Sequence, residues 1–325
     1  MLRYICGRVL QGAFVLWAAF TLSFFVLYAL PSDPAKVVAG PNTNLTPEQL
    51  EAVRRQFGFD RPLLVQYAAK LGDVLQGDLG RSMQSRQSVG SLLGGQLPAT
   101  LQLAAVSLAA SVLVGGAIAV LATYVRGRRL KGLLLTLPPV GVALPPFWVG
   151  LLLLQLFAFH WPLLPPIGNK GWESLVLPAV TMAVPTGALL AQLLARSLET
   201  TLREGYVATA HAKGASRARI HFRHALRNAA LPTVTMLGLL VGNLLAGAVI
   251  VETVFSRQGL GRVTVDAVTN QDLPVVQGLV ILGALIFVLV NLAVDLVYPV
   301  LDPRVGQVGR PARPKIAARV EVAAR

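Results

Sequence analysis

The sequence predicts an all-α polytopic membrane protein with six transmembrane helices, and three observations lead there. Of 325 residues, 54% are hydrophobic and only 14% charged, against roughly 25% charged residues in soluble domains. The charges are also clustered, leaving residues 9–30, 98–125, 132–159, 174–195, 228–251 and 273–294 without any Asp, Glu, Lys or Arg. Each of these runs is long enough for the ~20 residues of helix that cross a bilayer core about 30 Å thick. None shows the period-two alternation of a barrel strand, so the backbone must satisfy its hydrogen bonds within helices.

The distribution of charge orients these spans. With the N-terminus in the cytoplasm, the inner segments carry 19 Lys/Arg and 4 Asp/Glu, and the outer segments carry 10 of each; Asp295 sits near a span end. The inside is therefore strongly positive and the outside neutral, the positive-inside pattern. A formal charge of +14 is accounted for by topology and requires no nucleic acid partner; both termini are expected in the cytoplasm and membrane lipid is the expected solvent.

Taken in order, residues 1–30 form a short tail and the first span. Arg3 and Arg8 precede its apolar run, which is longer than the 7–15 residues of a secretory h-region and reads as an uncleaved signal anchor. The single cysteine, Cys6, excludes an internal disulfide and any multi-cysteine metal site. Residues 31–97 form an outer loop long enough to hold structure of its own. Within it Thr46-Pro47-Glu48-Gln49 offers an N-cap, a first-turn proline and a capping-box glutamine. Leu50, Val53 and Phe57 then recur on one face before Gly58, predicting a short amphipathic helix that packs on its own spans, the membrane interface or a neighbouring subunit.

Residues 98–303 are read as the core membrane domain. The third span holds two proline pairs, Pro138-Pro139 and Pro145-Pro146, each expected to kink or open the helix. Such a helix either lines a pathway or is merely bent. Gln102, Gln155, Gln192, Asn243 and Asn291 are polar positions within spans and serve as interhelical glue or as ligands. Asp295 should face water, a partner or the headgroups. Pro145, Pro146, Asn243, Asn291 and Asp295 are accordingly the pathway candidates. Gly238 and Gly242 have the GxxxG spacing of a close helix contact.

The inner segment 196–232 reads as two helices around an elbow. Residues 204–213 are compact and alanine-rich, Gly214 permits a left-handed turn, and Ser216 caps a second helix. On that helix Arg219, Arg223 and Arg227 stand four apart as a basic stripe, which alone would suggest anionic headgroups. Residues 304–325 form a basic tail read as disordered and cytoplasmic.

The run YVATAHAKGASRARIHFRHALRNAALP, residues 206–232, resembles the cytoplasmic EAA loop of importer-type ABC permeases. The order AKG, then HALRNA, then proline is similar to the dipeptide/oligopeptide and nickel branch of that family. PSDP (31–34), GDLGRS (77–82), LPATLQLA (97–104), PPFWVGLLLL (145–154), ETVFSRQGLGR (252–262) and LDPR (301–304) agree with the same branch. The likeness thus runs from the first span to just past the sixth. His211 departs where the branch has arginine, and Arg257-Gln258 depart where an aromatic residue and proline are common.

The resemblance implies the type I importer permease fold and the B-type subunit of a binding-protein-dependent importer in a prokaryotic inner membrane. It implies partners: a second, homologous permease, two ABC ATPase subunits and an extracytoplasmic peptide-binding protein. Glu204, Tyr206, Thr209, Ala210, Ala212, Lys213 and Gly214 would meet an ATPase, followed by the signature positions Arg219, Arg223, His224, Arg227 and Asn228. No segment ends in the GK[ST] of a phosphate-cradling loop. ATP and Mg are therefore assigned to the ATPases, with no cofactor, metal or catalytic residue in this chain. Its cargo is expected to be dipeptides or oligopeptides, with nickel or another small solute as the alternative. An intramembrane hydrolase, with only His160, His211, His221 and His224 to draw on, and a passive channel or receptor are weaker competitors.

Overall fold

The computed structural model describes residues 2–28, 46–57 and 60–301, so PSDP, Gly58 and the basic tail lie outside the described residues. The described chain is helical throughout its regular elements. In order these are α1 (Leu2–Tyr28), α2 (Pro47–Phe57), α3 (Leu63–Leu75), α4 (Val89–Tyr124), α5 (Arg128–Ala143), and α6 (Pro146–Leu153), which runs on as a π-helical segment, Leu154–His160. Then come α7 (Glu173–Thr201), α8 (Gly205–Ala212), a second π-helical segment (Arg219–Ala225) continuing into α9 (Leu226–Val254), α10 (Leu260–Thr269) and α11 (Leu273–Leu301).

Five helices are long and apolar enough to cross a membrane unbroken, and α5 with α6 makes a sixth candidate bent by 105°. With 16 residues, α5 is roughly 24 Å long, too short to cross alone. That the pair carries the chain across is shown by its neighbours. Leu103 of α4 shares a core with Leu175 and Leu177 of α7, while Ala119 shares one with Leu194 and Leu198. The two helices therefore run parallel, and the connection between them must return to the starting side. Six crossings result, as the sequence predicts.

The break falls at one proline pair and not the other. Pro138 and Pro139 remain inside α5, whereas Leu144 and Pro145 adopt extended backbone and Pro146 starts α6 at its first turn. Pro145 and Pro146 have no N–H to give the carbonyls of Gly141 and Val142 four residues back, so the ladder stops there. The second span also begins nine residues before Pro98, at Val89. Pro98 is therefore interior to α4, and residues 89–97 at the end of the 31–97 segment are helical.

The central helix is α7, most of whose side chains are buried, while a third or less of α1, α4, α9 and α11 is covered. Close packing on α7 depends on small residues: a Cβ at Gly115 of α4 would stand 2.3 Å from the Gly187 carbonyl. Three cores stack along the bundle. One joins α4, α7 and the start of α9 at the basic end, one fills the middle around Phe255, and one gathers Val89, Leu93, Leu260 and Val275 at the opposite end. The GxxxG pair in α9 serves this packing, since Gly238 faces Asn291 and Gly242 faces Phe287 of α11.

Peripheral α1 leans on α11 and α3. Phe20, Phe24 and Tyr67 form an aromatic cluster, and the Tyr67 and Thr21 hydroxyls are 2.9 Å apart. The α2 capping box forms as predicted: Thr46 N–H donates to Gln49 Oε1 at 3.0 Å and Gln49 N–H to Thr46 Oγ1 at 3.4 Å. The side chains of Leu50, Val53 and Phe57 lie outside the described residues.

Candidate functional site

At the basic end the chain leaves α7 through a tight turn, in which Arg203 and Glu204 N–H donate to Thr200 and Thr201 carbonyls. Glu204 then enters α8 with extended backbone. This helix touches the bundle through Val207, which is 4% exposed, while Glu204, Tyr206, Thr209, Ala212 and Lys213 are exposed and Ala210 half-buried. His211 turns back on its own helix, with Nδ1 3.2 Å from the Val207 carbonyl.

The elbow is a Schellman turn. Gly214 N–H donates to the His211 carbonyl at 2.9 Å and Ala215 N–H to Ala210 at 3.1 Å, with Gly214 at φ +76°. That conformation suits glycine and strains any residue with a Cβ. Ser216 then caps the next helix, accepting from Arg219 N–H at 3.4 Å. From Arg219 to Ala225 the backbone is π-helical, which buries Ile220, His221 and Ala225 and leaves Arg219, Arg223 and Arg227 exposed.

Two clamps hold the elbow. Asn228 Nδ2 donates to Tyr206 Oη at 3.1 Å, and that hydroxyl donates to the His224 carbonyl at 3.4 Å. Tyr206, His224 and Asn228 are thereby brought together across the turn. On the other side Arg217 donates to the Tyr124 carbonyl and lies over its ring at 5.0 Å, while His221 Nε2 is 3.2 Å from Thr123 Oγ1. Sequence reasoning singled out neither Arg217 nor the end of α4.

The pathway candidates separate into two groups. Pro146 and Asn243 line a cleft of about 260 Å³ with Val142, Met182, Pro185 and Gly247. It lies between the α5–α6 break, α7 and α9, and none of its lining side chains is ionisable. Pro145 is exposed at the break. Asp295 faces α1 instead, where it pairs with Arg8 at 3.0 Å, and Asn291 lies between α1 and Gly238 of α9, its Nδ2 donating to the Phe287 carbonyl at 2.8 Å. Gln102, Gln155, Gln192 and Asn243 make no side-chain hydrogen bond among the described residues.

The opposite end carries a polar network that sequence reasoning missed. Glu252, 1% exposed, accepts from Thr100 Oγ1 and Gly261 N–H, each at 2.7 Å, while Thr100 Oγ1 accepts from Leu260 N–H at 2.8 Å. Asp272 accepts from Ser82 Oγ at 2.5 Å and Met83 N–H at 3.1 Å. Arg257 donates to the carbonyls of Gly168 and Ser174 at 3.0 and 2.9 Å. Burial lowers the pKa of its guanidinium and nearby Glu252 opposes that shift. Gln258 and Asn169 exchange two bonds of 2.8 Å. The departures Arg257 and Gln258 are thus both engaged. The only signal for Ser82, Thr100, Glu252, Arg257 and Gln258 was their position in GDLGRS, LPATLQLA and ETVFSRQGLGR, and Asp272, Asn169 and Ser174 lie outside every such motif.

Comparison with known proteins gives this architecture a family. Residues 91–307 match the model for the binding-protein-dependent transport system inner membrane component, and residues 1–104 match the N-terminal membrane component of such systems. The glutathione transport system permease protein GsiC of Escherichia coli O6:H1 is 37% identical over 94% of this chain and 99% of its own length. GsiC of Salmonella paratyphi A is 39% identical over the same shares. Among solved structures, the inward-facing MetNI methionine ABC transporter aligns with TM-score 0.57 at 17% identity, covering 65% of this chain and 96% of that one. With residues 91–307 and 1–104 both matched, and relatives 37–39% identical over nearly the whole chain, the chain belongs to the inner membrane permease family of binding-protein-dependent ABC importers.

Proposed function

We propose that this permease forms, with a second permease, the pathway of an importer for short peptides, glutathione among them, in the plasma membrane of a prokaryote. One ATPase subunit binds at α8 and a second at the cytoplasmic loop of the other permease, together supplying ATP and Mg chemistry, and an external binding protein delivers the peptide. The GsiC relatives favour a peptide cargo, and dipeptides and longer peptides fall in the same class.

One observation carries the coupling role: α8 is exposed yet tied through its N-terminal turn to both of the helices that face each other across the cleft. Its N-terminal turn is continuous with α7, which contributes Met182 and Pro185, and the Tyr206–Asn228 bond fixes it to α9, which contributes Asn243 and Gly247. A displacement of α8 by closing ATPases therefore moves both walls together, as rigid helices around a fixed site.

Replacing Gly214 tests this. A valine there must leave φ +76° or bear about 1–2 kcal/mol of left-handed strain. Gly214→Val in the reconstituted complex should abolish ATP-dependent peptide uptake while the chain still inserts and pairs with the second permease. Normal uptake with normal ATPase association would refute the coupling role. Including nickel in the same uptake assay separates a peptide importer from a metal importer.

A further inference from the structure

We infer that Asn243 is a substrate-binding residue that pairs with the peptide backbone of the cargo as it crosses the cleft. This rests on the peptide-importer reading above and specifies which atoms would recognise the cargo.

Asn243 stands eight residues inside Val251, the outer end of its uncharged run, or roughly 12 Å along the helix. That places it deep within the hydrocarbon region. Its amide makes no hydrogen bond among the described residues, and it lines the cleft. Asn243 is exposed among apolar lining residues, so its amide is free to meet a polar group that enters the cleft.

The surrounding chemistry narrows the ligand. Pro145 and Pro146 deprive the Gly141 and Val142 carbonyls of their helical donors, and Val142 lines the cleft. The wall therefore offers a freed acceptor at Val142 and, at Asn243, one group that both donates and accepts. With no ionisable lining side chain, the cleft does not select by charge. In an extended peptide the N–H and C=O of one residue point to the same side, as in a β-ladder, and one side-chain amide can meet both. A further peptide N–H finds the freed Val142 carbonyl. A divalent transition metal would instead be expected to select imidazole or thiolate ligands, and none lines the cleft.

The test uses the complete transporter in proteoliposomes. Uptake is measured for whichever of trialanine and glutathione the wild type moves faster, and for that peptide's analogue with its central peptide N–H methylated. Wild type should prefer the unmodified peptide. Asn243→Leu should slow it about tenfold, the effect of one lost hydrogen bond near 1.4 kcal/mol, and should change the methylated analogue little. Asn243→Gln should recover part of the rate. Unchanged peptide uptake by Asn243→Leu would overturn the inference, as would loss of the second permease on purification, which would mark the amide as helix-to-helix glue. If wild type moves neither peptide, the peptide reading falls, and this inference with it.

Discussion

Glu252 shows how much a single side chain can hold at the non-basic end. Its carboxylate takes donors from α4 through Thr100 and from α10 through Gly261, so one buried anion joins three helices. Replacement by alanine leaves a buried N–H and a hydroxyl without their acceptor, at about 1–3 kcal/mol each. Glu252→Ala should therefore lower the apparent melting temperature in detergent, and Glu252→Gln, which keeps one acceptor oxygen, should lower it less. Equal melting of all three proteins would contradict this role. Such a residue was poorly legible in the sequence because Glu252 closes an apolar run and looks like any interfacial acid. The three-dimensional meeting of positions 100, 252 and 261 has no one-dimensional signature. Gly214, by contrast, was legible, since a glycine between two helical stretches has a specific conformational use.

The helices themselves were legible from the uncharged runs, because burying backbone in lipid leaves few alternatives. What the runs did not specify was the shape of the third span. Both proline pairs looked equivalent, but only Pro145-Pro146 interrupts the helix, while Pro138-Pro139 is carried within α5. The difference lies on the C-terminal side of the second pair, where Pro146 takes the favourable first turn of a new helix, α6. Replacing Pro145 and Pro146 with alanine restores two N–H donors and should straighten the span. Spin labels at the exposed positions Leu135 and Leu152 should then separate to roughly 26 Å, the length of seventeen helical residues. An unchanged, shorter distance would show that tertiary packing rather than the prolines sets the 105° bend. The π-helical turn after Ser216 was equally hidden, since the four-residue spacing of Arg219, Arg223 and Arg227 reads as ordinary α-helix.

At the scale of the molecule, α4 and α7 form a tightly packed parallel pair, α11 packs against α9, and α1 lies on the far side of α11. The candidate pathway resolves into a cleft with Pro146 and Asn243 on one side and an ion-paired seam with Arg8, Asn291 and Asp295 on another. Sequence order could not divide these positions, because all five are polar or irregular points in apolar helices. The same architecture makes α8 a short helix bridging both walls of the cleft, and the account depends on that bridge being driven from the cytoplasm. The most direct measurement is disulfide crosslinking of Thr209→Cys, on the exposed face of α8, in the assembled transporter. The account predicts a crosslink to an ATPase subunit whose yield changes with ATP and protection from membrane-impermeant thiol reagents applied outside intact cells. Labelling of this cysteine from outside, with no ATPase crosslink, would contradict it.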